Sequence, residues 1–256
     1  MRAARRVALP GVTGLEVWDL VVGDTTLFAA AKRRAFPRLL AEAVRALRAG
    51  TARRACAESI GLDAIAFDQV LVGGGGWDSI PASRRIASFD TLPGGRFVGI
   101  AGGFSLLGGP GLVCDVGQSA IKLAWPGGRV LIERDLVKLP VRSRSDDPAH
   151  RRALVEYLGG ALRRAPRFRR LVLALPAALR ADGTPEGSSY PGMAGDDGLV
   201  EDALSYAGMT GTETLLVNDA ELAALSARPR ARGRALVLTV GFGVGAALLD
   251  ATTSPG

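Results

Sequence analysis

Histidine and cysteine are what this sequence has least of. One histidine, His150, and two cysteines, Cys56 and Cys114, stand among 256 residues. That is too few for a disulfide framework or for a usual four-ligand zinc site. No run of 18 apolar residues occurs, and the arginine-rich start lacks a following apolar segment, so a cytoplasmic protein without a membrane span or signal peptide is expected. Aromatic residues are scarce, at 5%. The net charge of +7 invites a nucleic-acid reading, but the arginines are dispersed among alanines and leucines along helical patterns rather than gathered with aromatics. Solvated helix faces account for them, and nucleic-acid binding is not expected. What remains, 48% apolar and 22% charged residues, is a globular composition. The length allows one large domain or two modest ones.

Helical and strand patterns alternate along the chain. Residues 2–6 read as a frayed basic end, and Glu16 to Val22 as a loop or short strand. Helices are expected from Thr26, over Leu39 to Leu47 with Gly50 closing it, and over Ala52 to Ile60 behind Thr51. Val70 to Val72 reads as a buried strand that breaks into four glycines, and Phe97 to Leu107 as a small-residue helix. Gly108-Gly109-Pro110-Gly111 is the most linker-like tetrapeptide. Beyond it, strands are expected at Leu112 to Cys114, Ile121 to Trp125 and Arg129 to Glu133, the last two joined at Gly127-Gly128. A helix opening at Asp147-Pro148 and running to Arg164, then a strand at Leu171 to Pro176, follow. Ala181 to Gly198 reads as a loop able to cover a ligand. A helix at Leu199 to Ala207, a strand at Glu213 to Val217, a helix at Ala220 to Ala227 and a strand at Leu236 to Val240 complete an α/β pattern with largely buried mixed sheets.

The stretch with most chemical content is Gly111 to Lys122, GLVCDVGQSAIK. A buried strand carries Asp115 to its end, where the carboxylate can hold a hydrated Mg²⁺. Gly117 lets the backbone bend toward phosphate oxygens, with Gln118 and Ser119 beside it; Ser119 supplies a donor and Lys122 a cation. An ordinary Asp-x-Gly turn between two strands explains the same residues, and Lys122 can equally be a solvated strand residue. Glycines recur after two other strands, at Gly73, Gly74 and Gly75 and at Gly241, Gly243 and Gly245. There they either admit a ligand to the backbone or form plain turns.

The pattern DxGxSxxK resembles the first phosphate motif of the sugar kinase/Hsp70/actin ATPase superfamily. LVLALPAALRADG, SSYPGM, VNDAELAAL and LTVGFGVGAAL resemble, in order, segments of the ROK family of repressors and sugar kinases. TGLEVWDL, DQVLVGGGG and RFVGIAGGFSLLG resemble segments that in such a kinase follow the second phosphate motif. Here they precede the first. The resemblance therefore implies a two-lobed actin-like ATPase (ribonuclease H-like) fold, circularly permuted, with the ordinary termini joined through Gly108 to Gly111. One lobe is expected to comprise residues 1–108 with 216–256, the other residues 111–215, with a nucleotide cleft between them.

On that resemblance the activity is ATP-dependent phosphoryl transfer to a hydroxyl of a sugar or sugar-like molecule, with ATP and Mg²⁺ as cofactors. Asp219 is the catalytic base; Asn218, Glu16 and Asp19 bind the acceptor. Asp115 holds Mg²⁺ through water, and Gly117, Gln118, Ser119, Lys122, Gly241, Phe242, Gly243 and Gly245 face the phosphates. Gly73, Gly74 and Gly75 border the nucleoside. Asn218 and Asp219 also suit a plain helix cap. The sequence departs from the family where Trp18 and Asp19 replace a Gly-His pair, where Phe242 replaces a threonine, and where the structural zinc segment is absent. Two alternatives follow: a nucleotide-binding sensor or partner protein with weak or no catalysis, and a type III pantothenate kinase, whose opening motif DVGQSAIKLAW also resembles. No membrane partner is expected, and a homodimer is the default assembly.

Overall fold

The structure, a computed structural model, describes residues 4–15, 17, 20–22, 25–27, 35–54, 63–141, 147–188, 190–241 and 243–252. It is a mixed α/β protein with several sheets. The first half carries strands β1 (Ala4–Arg6), β2 (Val12–Leu15), β3 (Leu20–Val22), β4 (Thr25–Thr26), β5 (Arg53–Arg54), β6 (Gln69–Gly73) and β7 (Asp90–Thr91). Helices α1 (Phe36–Ala49), α2 (Gly75–Asp78) and α3 (Ile100–Leu107) accompany them. The second half adds β8 (Leu112–Val116), β9 (Ala120–Trp125), β10 (Gly128–Glu133), β11 (Arg170–Leu175), β12 (Ala178–Leu179) and β13 (Pro185–Glu186). Then come β14 (Glu213–Asn218), β15 (Arg234–Val240) and β16 (Val244–Asp250). Its helices are α4 (Pro148–Leu162), α5 (Leu199–Ala207) and α6 (Asp219–Ala227).

The chain divides into two discontinuous units, Met1–Ala8 with Gly99–Leu222, and Leu9–Val98 with Ala223–Gly256. This corrects the expected division in three places. Strand β1 belongs to the first unit because it pairs in parallel with β14. Helix α3 belongs there too, packed on β8 and β11. Residues 216–222 stay with the same unit, since β14 pairs with β11 along its whole length, from Glu213 opposite Arg170 to Asn218 opposite Leu175. Gly108 to Gly111 is thus a helix-to-strand connection inside one unit; Gly108, at φ 60°, caps α3 in the left-handed conformation.

In the first unit the sheet order is β1-β14-β11-β8-β9-β10. Strands β8, β9 and β10 form an antiparallel meander, while β11, β14 and β1 continue from β8 in parallel. The sequence of β8, LVCDV, is buried at every position, as a strand covered on both faces must be. Leu112, Cys114, Leu171 and Leu173 share a core with Leu154 and Leu158 of α4 and Leu199 and Leu204 of α5. Val113 points to the opposite face, where α3 comes so near that a Cβ on Gly103 would lie 2.4 Å from it. Asp147 starts α4 by accepting from the Ala149 amide at 2.8 Å, with Pro148 in the first turn.

The second unit holds a sheet of order β2-β16-β15-β6-β7 and a small sheet β4-β3-β5. Val70, Val72, Leu236, Leu238 and Leu248 form its core with Phe36, Leu40, Val44 and Leu47 of α1. Two local expectations fail here. Arg53–Arg54, expected in a helix, pairs antiparallel with β3, and Thr26, expected to open a helix, pairs there too. Ladder hydrogen bonds outweigh the weak helix signal of so short a stretch. The remainder of those two expected helices, apart from Leu27, Ala35, Phe36, Thr51 and Ala52, lies outside the described residues; Phe36 is the first residue of α1 and Ala35 its cap.

The two large sheets repeat one pattern. An antiparallel meander of three strands is extended by two strands parallel to its first, to which β1 adds a third in the first unit. In the first unit the pattern runs in chain order, β8, β9, β10, β11, β14. In the second it runs β15, β16, β2, β6, β7, so its opening hairpin stands at the end of the chain and the other three strands near the beginning.

Candidate active site

Asp115 stands near the end of β8, and the antiparallel register sets Lys122 of β9 directly opposite. The Lys122 Nζ donates to Asp115 Oδ2 at 3.1 Å, and both side chains are largely buried. Asp115 Oδ1 is buried and accepts no hydrogen bond. A buried carboxylate oxygen left in that state suits a cation or a donated proton. Gly117 lets the Lys122 ammonium lie against the turn; a Cβ there would come within 2.5 Å of it and push the lysine aside.

Asp219 opens α6 where β14 ends. Burial pushes its carboxyl up to about 7, the negative charge of Asp115 adds to the rise, and Lys122 and backbone N–H groups oppose it. Asp115, Lys122 and Asp219 therefore form one electrostatic group within the first unit. Lys122, which the sequence left open as a phosphate cation or a solvated strand residue, is paired rather than solvated.

Asn218 occupies a capping box. Its Oδ1 accepts from the Ala220 amide at 2.9 Å, and its own N–H donates to Glu221 Oε2 at 3.0 Å. The side-chain Nδ2 donates to the Ala177 carbonyl at 2.9 Å. Both ends of the amide are thus engaged. Glu221 is buried and its other oxygen meets Arg6 of β1 at 2.6 Å. Glu221 was legible as the third residue after a helix cap, although the sequence analysis passed over it.

The turn from β8 to β9 is held from one side. The Tyr190 hydroxyl donates to Gly117 O at 2.8 Å, Arg134 Nη1 to Gln118 O at 2.9 Å, and the Arg134 amide to Ser119 O at 2.8 Å. Arg134 is buried; its Nε and Nη2 bond the Leu139 and Pro140 carbonyls, and its guanidinium lies 3.6 Å from the centre of the Tyr190 ring. Gln118 is half-buried, with Oε1 accepting nothing, and Ser119 is exposed. Sequence reasoning missed both clamping residues. Tyr190 lies in the SSYPGM segment, but nothing local ties it or Arg134 to the turn, because their partners lie 73 and 16 residues away.

In the second unit the glycine run packs against the chain itself. A Cβ on Gly73 would lie 2.8 Å from Val98, on Gly74 2.4 Å from the Val240 carbonyl oxygen, and on Gly75 2.6 Å from Arg96. Gly74, at φ 107°, also needs its freedom of backbone. This close approach sets the turn after β6 against the end of β15. Gly241 has open space at its Cβ position and donates to Gly243 O at 2.9 Å, while Gly245 pairs with Thr239 in the β15–β16 hairpin. Glu16, Asp19 and Phe242 lie outside the described residues.

Among the described residues no group of three or more His, Cys, Asp and Glu could hold a metal ion, and no helix is long and apolar enough to cross a membrane. No protein-family model matches this chain, and no curated protein matches it in sequence.

Proposed function

We propose that this chain is an ATP-dependent kinase that transfers a phosphoryl group to a hydroxyl of a sugar or sugar-like small molecule. On this proposal it is a ROK-type enzyme with a circularly permuted actin-like ATPase fold. The observation that carries the reading is the grouping of Asp115, Lys122 and Asp219, in which one carboxyl is tuned close to neutral pH beside another with an unsatisfied oxygen. A base with such a pKa is matched to proton transfer near pH 7. The two sheets of like pattern, the second in rotated strand order, support the permuted fold. Joining the ends of such a kinase and reopening it after its second phosphate hairpin would produce that order.

The residues fit a hydrated Mg²⁺, which proteins commonly hold through one or two carboxylates together with waters and phosphates. Asp115 would hold it, and when bound it offsets the charge of the phosphates. Asp219 takes the proton of the acceptor hydroxyl as the oxygen bonds to the γ-phosphorus and the bond to ADP breaks. Lys122 balances Asp115 and keeps an ammonium against Gly117.

One observation favours a second reading, a nucleotide-binding sensor without transfer. The Asn218 amide is engaged in the helix cap and with Ala177, so it orients an acceptor only by leaving those partners. The test of the kinase reading is titration of Mg·ATP and Mg·ADP into the wild type and Asp115→Ala, followed by ADP release with sugars, amino sugars and pantothenate. Binding by the wild type and its loss in the variant are expected. Asp219→Asn should keep nucleotide binding and lower turnover by about 100-fold or more. A wild type that binds no nucleotide, or full turnover by Asp219→Asn, would overturn it. Binding without transfer to any acceptor would establish the sensor.

A further inference from the structure

We propose that Arg134 and Tyr190 are positioning residues that aim the amides of Gln118 and Ser119 at a phosphate group. In a trans peptide the carbonyl of one residue and the N–H of the next point in opposite directions, and no cis bond is found among the described residues. The Gly117 carbonyl is drawn toward the Tyr190 hydroxyl, which turns the Gln118 N–H the other way. The Gln118 carbonyl is drawn toward Arg134 Nη1, which turns the Ser119 N–H the other way. The third carbonyl, that of Ser119, is taken by the Arg134 amide. Neither the Gln118 nor the Ser119 N–H bonds any partner among the described residues, whereas the Gly117 N–H closes the turn onto Ala120 O at 3.0 Å.

Two adjacent free N–H groups pointing away from a fixed support form a concavity that suits an anion. The Lys122 ammonium, lying against Gly117, adds positive charge to the same turn. The support is rigid for a physical reason. A buried guanidinium must satisfy its donors, and Arg134 does so with three carbonyls while stacking on the Tyr190 ring. Moving the turn would leave a buried charge short of partners.

This inference rests on the nucleotide reading, and the experiment separates the two. Affinities for Mg·ADP and for adenosine are measured by calorimetry on the full chain, as wild type, Tyr190→Phe and Ser105→Ala. Tyr190→Phe keeps the ring against Arg134 and removes the hydroxyl that donates to Gly117 O. Ser105→Ala is the control, since it removes an exposed hydroxyl that bonds Ala101 O at 3.1 Å within α3. The expected result is a fall of about five- to tenfold in Mg·ADP affinity for Tyr190→Phe, the worth of one hydrogen bond. Adenosine affinity should be unchanged, and Ser105→Ala should match the wild type in both. Unaltered Mg·ADP affinity in Tyr190→Phe overturns the inference and leaves the nucleotide reading standing. Equal losses for Mg·ADP and adenosine, or the same selective loss in Ser105→Ala, also overturn it by showing a general effect on the fold. A wild type that binds neither ligand overturns both.

Discussion

Asp219 is a carboxyl that folding makes harder to ionise. Its pKa rises from 3.8 to about 7, so between these values the folded chain binds a proton that the unfolded chain has released. Stability on this account is fully present below pH 4, falls as the pH climbs toward 7 and is level above it. Asp219→Asn removes the penalty. The variant should be more stable than the wild type at pH 8, by on the order of 2 kcal/mol once partial access to solvent is allowed for, and should gain nothing at pH 4. Urea unfolding at the two pH values checks this, and equal differences at both would exclude Asp219 as the source. At this scale the sequence was informative where geometry is local. Asp115 and Lys122 lie seven residues apart on neighbouring strands, so their pairing follows from a tight antiparallel turn. Asn218 shows the limit: the segment Asn-Asp-Ala-Glu spells a helix cap as well as it spells an acceptor site, and the structure puts its amide in the cap.

Among the elements, β1 was the least legible. Three residues, two of them arginine, have too little periodicity to announce a strand, and the basic start looked frayed. The structure instead gives Ala4, Arg5 and Arg6 parallel partners in Thr214, Leu215 and Leu216. Arg6 meets Glu221 at 2.6 Å with only 17% of its side chain exposed. Removing one member of such a pair strands the other in a poor environment. Arg6→Met should therefore lower stability by about 2–3 kcal/mol at pH 7, while Arg5→Met, at an exposed side chain, should change it by less than about 0.5 kcal/mol. Urea midpoints compare the two, and equal effects would deny Glu221 a structural dependence on β1. The longer helices and strands were legible because each carries its own period and its own stop, as Gly50 ends α1 and Gly127 turns β9 into β10.

For the whole molecule, an α/β chain was legible from alternation, and length allowed one domain or two, but the boundaries of the two units were not legible. Pairing between β1 and β14, and packing of α3 on β8 and β11, join residues that the sequence separates by long intervals. The rotated strand order of the second unit makes a further prediction. Cutting the chain between Gly108 and Gly109, exposed positions where an added Cβ would meet nothing within 4 Å, and joining residues 256 and 1 by a long Gly/Ser segment should leave the fold intact. Circular dichroism should be unchanged and the melting temperature should fall by no more than about 8 °C, the equivalent of about 1–2 kcal/mol. Collapse of the reordered chain would argue that the present start and finish are integral to folding.

The order of β2, β6 and β7 before β15 and β16 has a consequence for synthesis on the ribosome. Strand β15 lies in the middle of the second sheet, between β16 and β6, yet it is made after β2, β6 and β7. Residues 9–98 therefore emerge with an apolar core to complete and no central strand on which to build it. At about 5–20 residues per second the wait for residue 240 is on the order of ten seconds. During that interval the first unit, whose strands are all present by residue 218, can fold. The sheet of the second unit is thus completed after that of the first, and until then its early strands stay open to chaperones and proteases.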